Sequence, residues 1–210
     1  MVEGRTTRIV RRVVTYVGLA IALFWALAPI YWVVVTALKT SKEIYGAVPT
    51  LFPVLPTWEN FDKALFRSEF PRFVFNSAYV AIGVTLIAGT VGALAAYPIA
   101  RMRFAGQSLT ARTIVLAYLL PPSLLFIPLF LILQRMGLID TKIGLIVAYL
   151  TFTVPFCTWM LIGYFKTIPA ELDEAAVVDG ANRFQVLTKV ILPIATPGLA
   201  VVALFAFTNA

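Results

Sequence analysis

The chain has 210 residues, of which 60% are hydrophobic and 13% charged, with a formal net charge of +7 and a mean hydropathy of +0.90. Soluble domains usually carry about 45–50% apolar and roughly 25% charged residues, so this chain has too little polar side chain to cover a water-facing surface. The same balance excludes a disordered or nucleic-acid-binding chain, and what is left is an integral membrane protein.

Five stretches lack any Asp, Glu, Lys or Arg and are long enough to cross a bilayer, which takes about 20 apolar residues. In chain order they are Val13–Ala37, Phe73–Ala100, Thr113–Gln134, Ile143–Phe165 and Val190–Ala210. Each is expected to be helical, because lipid offers the backbone no hydrogen-bond partners. The first follows Arg8, Arg11 and Arg12 and contains Ala26-Leu27-Ala28, which has the look of a signal-peptide cleavage site. Its apolar run continues through Val35, past the length of such a peptide, so a retained span is expected.

Two units follow: residues 1–72, a span with an extracytoplasmic loop, and residues 73–210, a core of four spans. In the loop 38–72, Pro49, Pro53, Pro56 and Pro71 forbid a long helix, and Trp58, Phe61 and Phe66 suit an interface or a packed cap. The small residues Gly83, Ala88, Gly89, Gly92, Ala93 and Ala96 predict close helix packing by the second span. Pro121-Pro122 and Pro128 predict a kinked third span. Cys157, the one cysteine, reads as a small buried hydrophobe. The basic cluster of Arg5, Arg8, Arg11 and Arg12, with Arg101, Arg103 and Arg112, places the N-terminus inside.

The connection 166–189 is the most informative segment. Glu171, Asp173, Glu174 and Asp179 are four of the chain's ten acids. Pro169 suits a first helical position, the acids complement a helix N-terminus, and Gly180 suits a helix end. Helical spacing puts Leu172, Ala175, Ala176 and Asp179 on one narrow face. An interfacial helix would carry Lys and Arg toward anionic lipid. An acidic helix with a smooth small-residue face is better suited to a groove on another protein.

Glu174-Ala175-Ala176, Asp179-Gly180-Ala181 and Ile191-Leu192-Pro193 resemble the EAA loop of bacterial ABC importer permeases. Ala37-Leu38-Lys39 with Glu43-Ile44, Trp58-Glu59-Asn60-Phe61, Asn76-Ser77, Leu94-Ala95-Ala96-Tyr97 with Ala100-Arg101, and Gly163-Tyr164-Phe165 are similar to the carbohydrate, maltose-type branch. The resemblance implies an all-α integral membrane protein with the type I ABC importer transmembrane fold and five of an expected six spans, the chain being read as truncated before the sixth. It implies a multi-pass subunit of a bacterial or archaeal inner membrane. Its partners would be a second permease in a heterodimer, two cytoplasmic ATPase subunits and an extracytoplasmic solute-binding protein.

Leu172, Glu174, Ala175, Ala176, Asp179 and Gly180 would form the ATPase contact, and Leu192 and Pro193 would set the angle into the fifth span. ATP and Mg belong to the partner, since the chain has no GxxxxGK loop. The solute path has no comparable signature. Tyr118, Ser123, Tyr149, Thr151, Thr153 and Trp159 are candidates as aromatic faces and hydroxyls for sugars, against helix packing or interfacial anchoring. Amino-acid, phosphate and peptide permeases are the alternative branch. A secondary carrier is disfavoured because the spans hold no ionisable residue. An enzyme is not expected: there is no histidine and no intramembrane acid, hence no nucleophile–base pair and no metal set.

Overall fold

The computed structural model describes residues 5–210, and among them the side chains from Ile9 onward. Of the N-terminal basic cluster, the side chains of Arg5 and Arg8 therefore lie outside the described residues. Among the described residues the secondary structure is helical throughout. The chain divides into two compact units that meet in sequence at Arg72 and Phe73.

The first unit begins with α1 (Arg5–Ala37), which continues through Pro29 and presents Phe24, Trp25 and Val33 outward. The loop behind it is a folded cap built from short helices α2 (Ser41–Ile44) and α3 (Glu59–Phe66). Its prolines remove backbone donors, so side chains supply the ties. Tyr31 Oη donates to the Leu51 carbonyl at 2.6 Å, and Asn60 Nδ2 donates to the carbonyls of Ala37 at 3.0 Å and Lys39 at 2.6 Å. Buried Lys39 donates its ammonium to the Thr50 carbonyl and lies 4.9 Å from the centre of the Trp32 ring. The Glu43 carboxylate accepts from Thr50 Oγ1 at 2.5 Å and from the Val54 amide at 3.1 Å. These bonds, the Thr50 hydroxyl first, hold its pKa below the ordinary 4.5.

In the second unit α4 (Phe70–Arg101, which starts just before it) and α7 (Lys142–Phe165) are long, apolar helices that each continue through a proline. They meet where α4 has no side chain. A Cβ built on Gly92 would lie 3.2 Å from Cys157 Cβ and 3.3 Å from the Thr158 amide nitrogen. Ala88, Ala93 and Ala96 are buried beside it, as close packing requires, and Cys157 is fully buried. Phe156, Leu161 and Phe165 of α7 complete this core with Val186, Leu187, Ile191, Val202 and Ala206 from further along the chain.

The third and fifth spans differ from the expectation. Thr113–Gln134 is not one kinked helix but two, α5 (Gln107–Leu119) and α6 (Pro122–Arg135), bent by 94°. Pro121 disfavours the helical region for Leu120, which is extended at φ −65°, ψ 125°, and Pro122 then starts a new helix.

Val190–Ala210 is likewise divided. The helical run Arg183–Ile194 meets Thr196–Asn209 at 81°. Pro193 and Pro197 each withhold an amide from the ladder on either side of this corner. The final helix has 14 residues. At 1.5 Å per residue that is about 21 Å, short of the roughly 30 Å hydrocarbon core. Among the described residues three helices are thus long and apolar enough to cross a membrane, or up to five if each bent pair is one span.

Candidate functional site

The segment after α7 turns at Thr167–Pro169 and enters α8 (Glu171–Val178). Pro169 is not the first helical residue: Ala170 caps the helix, and its carbonyl accepts from the amides of Asp173 and Glu174. The three acids Glu171, Asp173 and Glu174 occupy the first turn, at the positive end of the helix dipole, where negative charge is favoured.

The far end of α8 closes as a Schellman turn. The Ala181 amide donates to the Ala176 carbonyl at 2.9 Å, and the Gly180 amide to the Val177 carbonyl at 3.0 Å. This pattern needs a left-handed residue between helix and exit, and Gly180 supplies it at φ +86°. Asn182 then opens α9 (Arg183–Val186) with a reciprocal capping box to Gln185. A π-helical turn, Leu187–Ile191, and α10 (Leu192–Ile194) carry the chain to the corner before α11 (Thr196–Asn209).

The helix is oriented by a face that spacing did not single out. Asp173 is buried, and Ala176 and Ala181 pack against the core. Arg101, the last residue of α4, reaches Asp173 with both ends of its fork: Nε to Oδ2 at 2.9 Å and Nη2 to Oδ1 at 3.2 Å. Its Nη1 and Nη2 also donate to the carbonyls of Ile168 at 2.7 Å and Pro169 at 2.9 Å. The two side chains are only 6% and 9% exposed. Removing one partner of such a buried pair typically costs about 3–5 kcal/mol, because the other is left charged and unpaired.

With that face turned inward, Leu172, Glu174, Ala175, Asp179 and Gly180 are exposed, as are Val178 and Phe184. Ala176, expected on the same outward face, is half-buried against the core instead. Leu192 is half-buried in the same packing, and Pro193 is exposed just before the corner. A cleft of about 1000 Å³ opens between the end of α4 and α8, walled by Arg103, Glu174, Val178 and Arg183.

Nearer the middle of α7 a groove of about 800 Å³ is lined by Tyr118, Tyr149, Thr153, Phe156, Phe205 and Asn209. Three of the six path candidates line it. Trp159 stands outside the lining but stacks on Tyr118, with ring centroids 5.9 Å apart and planes 10° from parallel. Thr151 is exposed and returns its hydroxyl to the Val147 carbonyl, and Ser123 lies at the start of α6 outside the groove. The lining residues Phe156 and Phe205 had no polar or periodic signal to distinguish them from packing, whereas Asn209 is a polar residue near the end of the last apolar run, a signal that was passed over. Arg101 and Asp173 had a weak one: an arginine directly ending a long apolar run, and an acid three residues before a small one.

Residues 88–210 match the family described as "Binding-protein-dependent transport system inner membrane component". The chain belongs to that family. It is 34% identical over 195 residues to the sulfoquinovosyl glycerol transport system permease protein SmoH of Agrobacterium fabrum, covering 93% of this chain and 68% of that one. It is 31% identical over 204 residues to the trehalose/maltose transport system permease protein MalG of Thermococcus litoralis, covering 96% and 73%.

Among solved structures, it resembles a chain in the crystal structure of a bacterial ABC transporter involved in the import of the acidic polysaccharide alginate. The TM-score is 0.79 at 25% identity, over all of this chain and 73% of that one. The all-α type I importer fold is thereby established, and this permease is a multi-pass inner membrane protein and not an enzyme.

Proposed function

We propose that this permease imports sugars or oligosaccharides, with α8 and the Gly180 turn as its contact to a cytoplasmic ATPase. The observation that carries the second half is the build of α8. One face is fixed to the body by Asp173, Ala176 and the Arg101 fork, while Leu172, Glu174, Ala175 and Asp179 stand outward on a helix closed at a defined angle. A helix held rigidly on one side and uncovered on the other suits a groove on a partner, and it transmits the partner's motion to the body.

The sugar assignment is supported by the relatives, whose names specify sulfoquinovosyl glycerol and trehalose or maltose. The stacked Tyr118–Trp159 pair beside a groove with Tyr149, Thr153 and Asn209 offers the apolar faces and hydrogen-bonding groups that sugar rings require. Specificity is shared with an extracytoplasmic binding protein. The working complex comprises this chain, a second permease as heterodimer partner, two ATPase subunits that hold ATP and Mg, and that binding protein. The N-terminus and α8 face the cytoplasm, as the clustered Arg residues near short loops favour.

Two measurements test this reading. Affinity purification of the chain from its native membrane is expected to bring down an ATPase and a second permease. Uptake in cells expressing the whole system is expected for labelled trehalose, maltose or a sulfoquinovose glycoside and not for amino acids or phosphate. Import of amino acids alone would sink the sugar claim, and purification without an ATPase would sink the coupling claim.

A further inference from the structure

The route by which motion at α8 would reach the spans is not fixed by chain connectivity alone. Along the chain, α8 joins α7 through Lys166–Ala170 and joins α11 through the π turn. Neither connection reaches α4, the other long helix of the core. Apart from the packing of Ala176 and Ala181 on the shared core, the link to α4 is a hydrogen-bonded side chain.

We propose that Arg101 is the positioning residue that makes α4 move with α8. The inference rests on α8 being the ATPase contact and adds the path of force beyond it. Arg101 has properties suited to this role. It is the last residue of α4, so its backbone reports the position of the whole helix. Its guanidinium grips both the first turn of α8, through Asp173, and the turn before it, through the carbonyls of Ile168 and Pro169. A planar fork bound at two edges resists rotation as well as separation, which a point charge would not.

Burial also matters. With the pair only 6% and 9% exposed, water competes poorly for either charge, and the contact holds under load. A buried ion pair is weak evidence for stability, since hydrophobic residues could replace it at no loss. Its retained value is a fixed geometry, and here the geometry it fixes is the angle between α4 and α8.

The test uses the intact complex with its ATPase subunits, carrying spin labels at the exposed positions Phe104 and Val178. Distances are measured without nucleotide and after trapping with ATP and vanadate. With Arg101 present, the mean label distance is expected to stay constant as the complex closes. In Arg101→Gln and in Asp173→Asn it is expected to shift on trapping by about 5 Å, one helical turn, because α8 then moves without α4. Arg101→Lys, which keeps charge but not the fork, is expected to shift similarly. The exchange Arg101→Asp with Asp173→Arg restores the pair without the two carbonyl bonds and is expected to recover part of the constraint.

A merely structural role would lower the amount of complex and leave the label distance constant, so an unchanged distance in both single variants overturns the proposal. If a single variant fails to bind the ATPase, the exchanged pair decides: recovered binding supports the latch, and none overturns it. Failure of the unaltered chain to hold an ATPase would instead strike the docking reading on which this rests.

Discussion

Replacing Gly180 separates backbone demand from surface contact. At φ +86° the residue lies in the left-handed region, and a Cβ built there would meet nothing within 4 Å. Substitution therefore costs conformational energy and no packing. For an L-residue that cost is about 1–2 kcal/mol, lower for Asn, whose side chain tolerates this region, and up to about 3 kcal/mol for a β-branched residue. Since one to two kcal/mol is a factor of about 5–30 in a two-state ratio, Gly180→Ala should open the turn roughly fivefold more often and Gly180→Val about thirtyfold or more.

The Ala181 amide, bonded to the Ala176 carbonyl at 2.9 Å, reports that opening directly. Hydrogen exchange of the peptide spanning 176–186, in nanodiscs, should rank protection as Gly, Asn, Ala, Val from slowest to fastest. Protection in Gly180→Val equal to the parent would refute the strained-turn argument. An Asn variant less protected than Ala would show that bulk, and not φ, is what the position forbids.

Trp at position 175 should abolish ATPase binding while the chain stays in the membrane, because Ala175 is exposed. Ala176→Trp should instead lower the amount of folded chain, because Ala176 packs against the core; pull-down and membrane abundance measured together separate the two. Gly92→Leu should lose about 1–3 kcal/mol by forcing α4 off α7, seen as a fall in melting temperature in detergent. Gly89→Leu, with open space around it, should leave that melt nearly unchanged, and equal shifts would refute the crossing described here.

Glu43 in the cap after α1 has its pKa depressed below 4.5, so its contribution is fully present above that value and lost as pH falls through the lower, folded one. Amide protection at Val54 should drop in acid below pH 4.5, and Glu43→Gln should remove that dependence; an unchanged pH profile in the variant would refute it.

The three long helices were legible because each is an unbroken apolar run whose single proline does not end it. The third and fifth were not, as a count of apolar residues carries no direction. Pro121-Pro122 signalled a kink, but a bend of 94° depends on Leu120 leaving the helical region, which the pattern does not report.

The α8 segment was recognisable from Glu174, Gly180 and Pro193, yet its orientation was only half right. Helical periodicity grouped Ala176 with Ala175, since they lie four and three residues after Leu172. What turns Ala176 inward is Asp173, pulled down by an arginine 72 residues earlier in the chain. Long-range ion pairs of this kind leave no periodic trace. The groove was partly visible through Tyr118, Tyr149 and Thr153, whereas Phe156 and Phe205 read as ordinary core.

In the proposed coupling, a cytoplasmic ATPase engages this permease at the outward face of α8. A cysteine, small enough to leave the face intact, placed in turn at 172, 175, 176 and 179 of the native complex and treated with a short thiol-to-amine crosslinker decides this, with position 140, at the opposite end of α7, as the control. ATPase crosslinks are expected from 172, 175 and 179, none from the inward position 176, and none from 140. ATPase crosslinks from 140, or none from 172, 175 and 179 in a complex that turns over ATP, would contradict it.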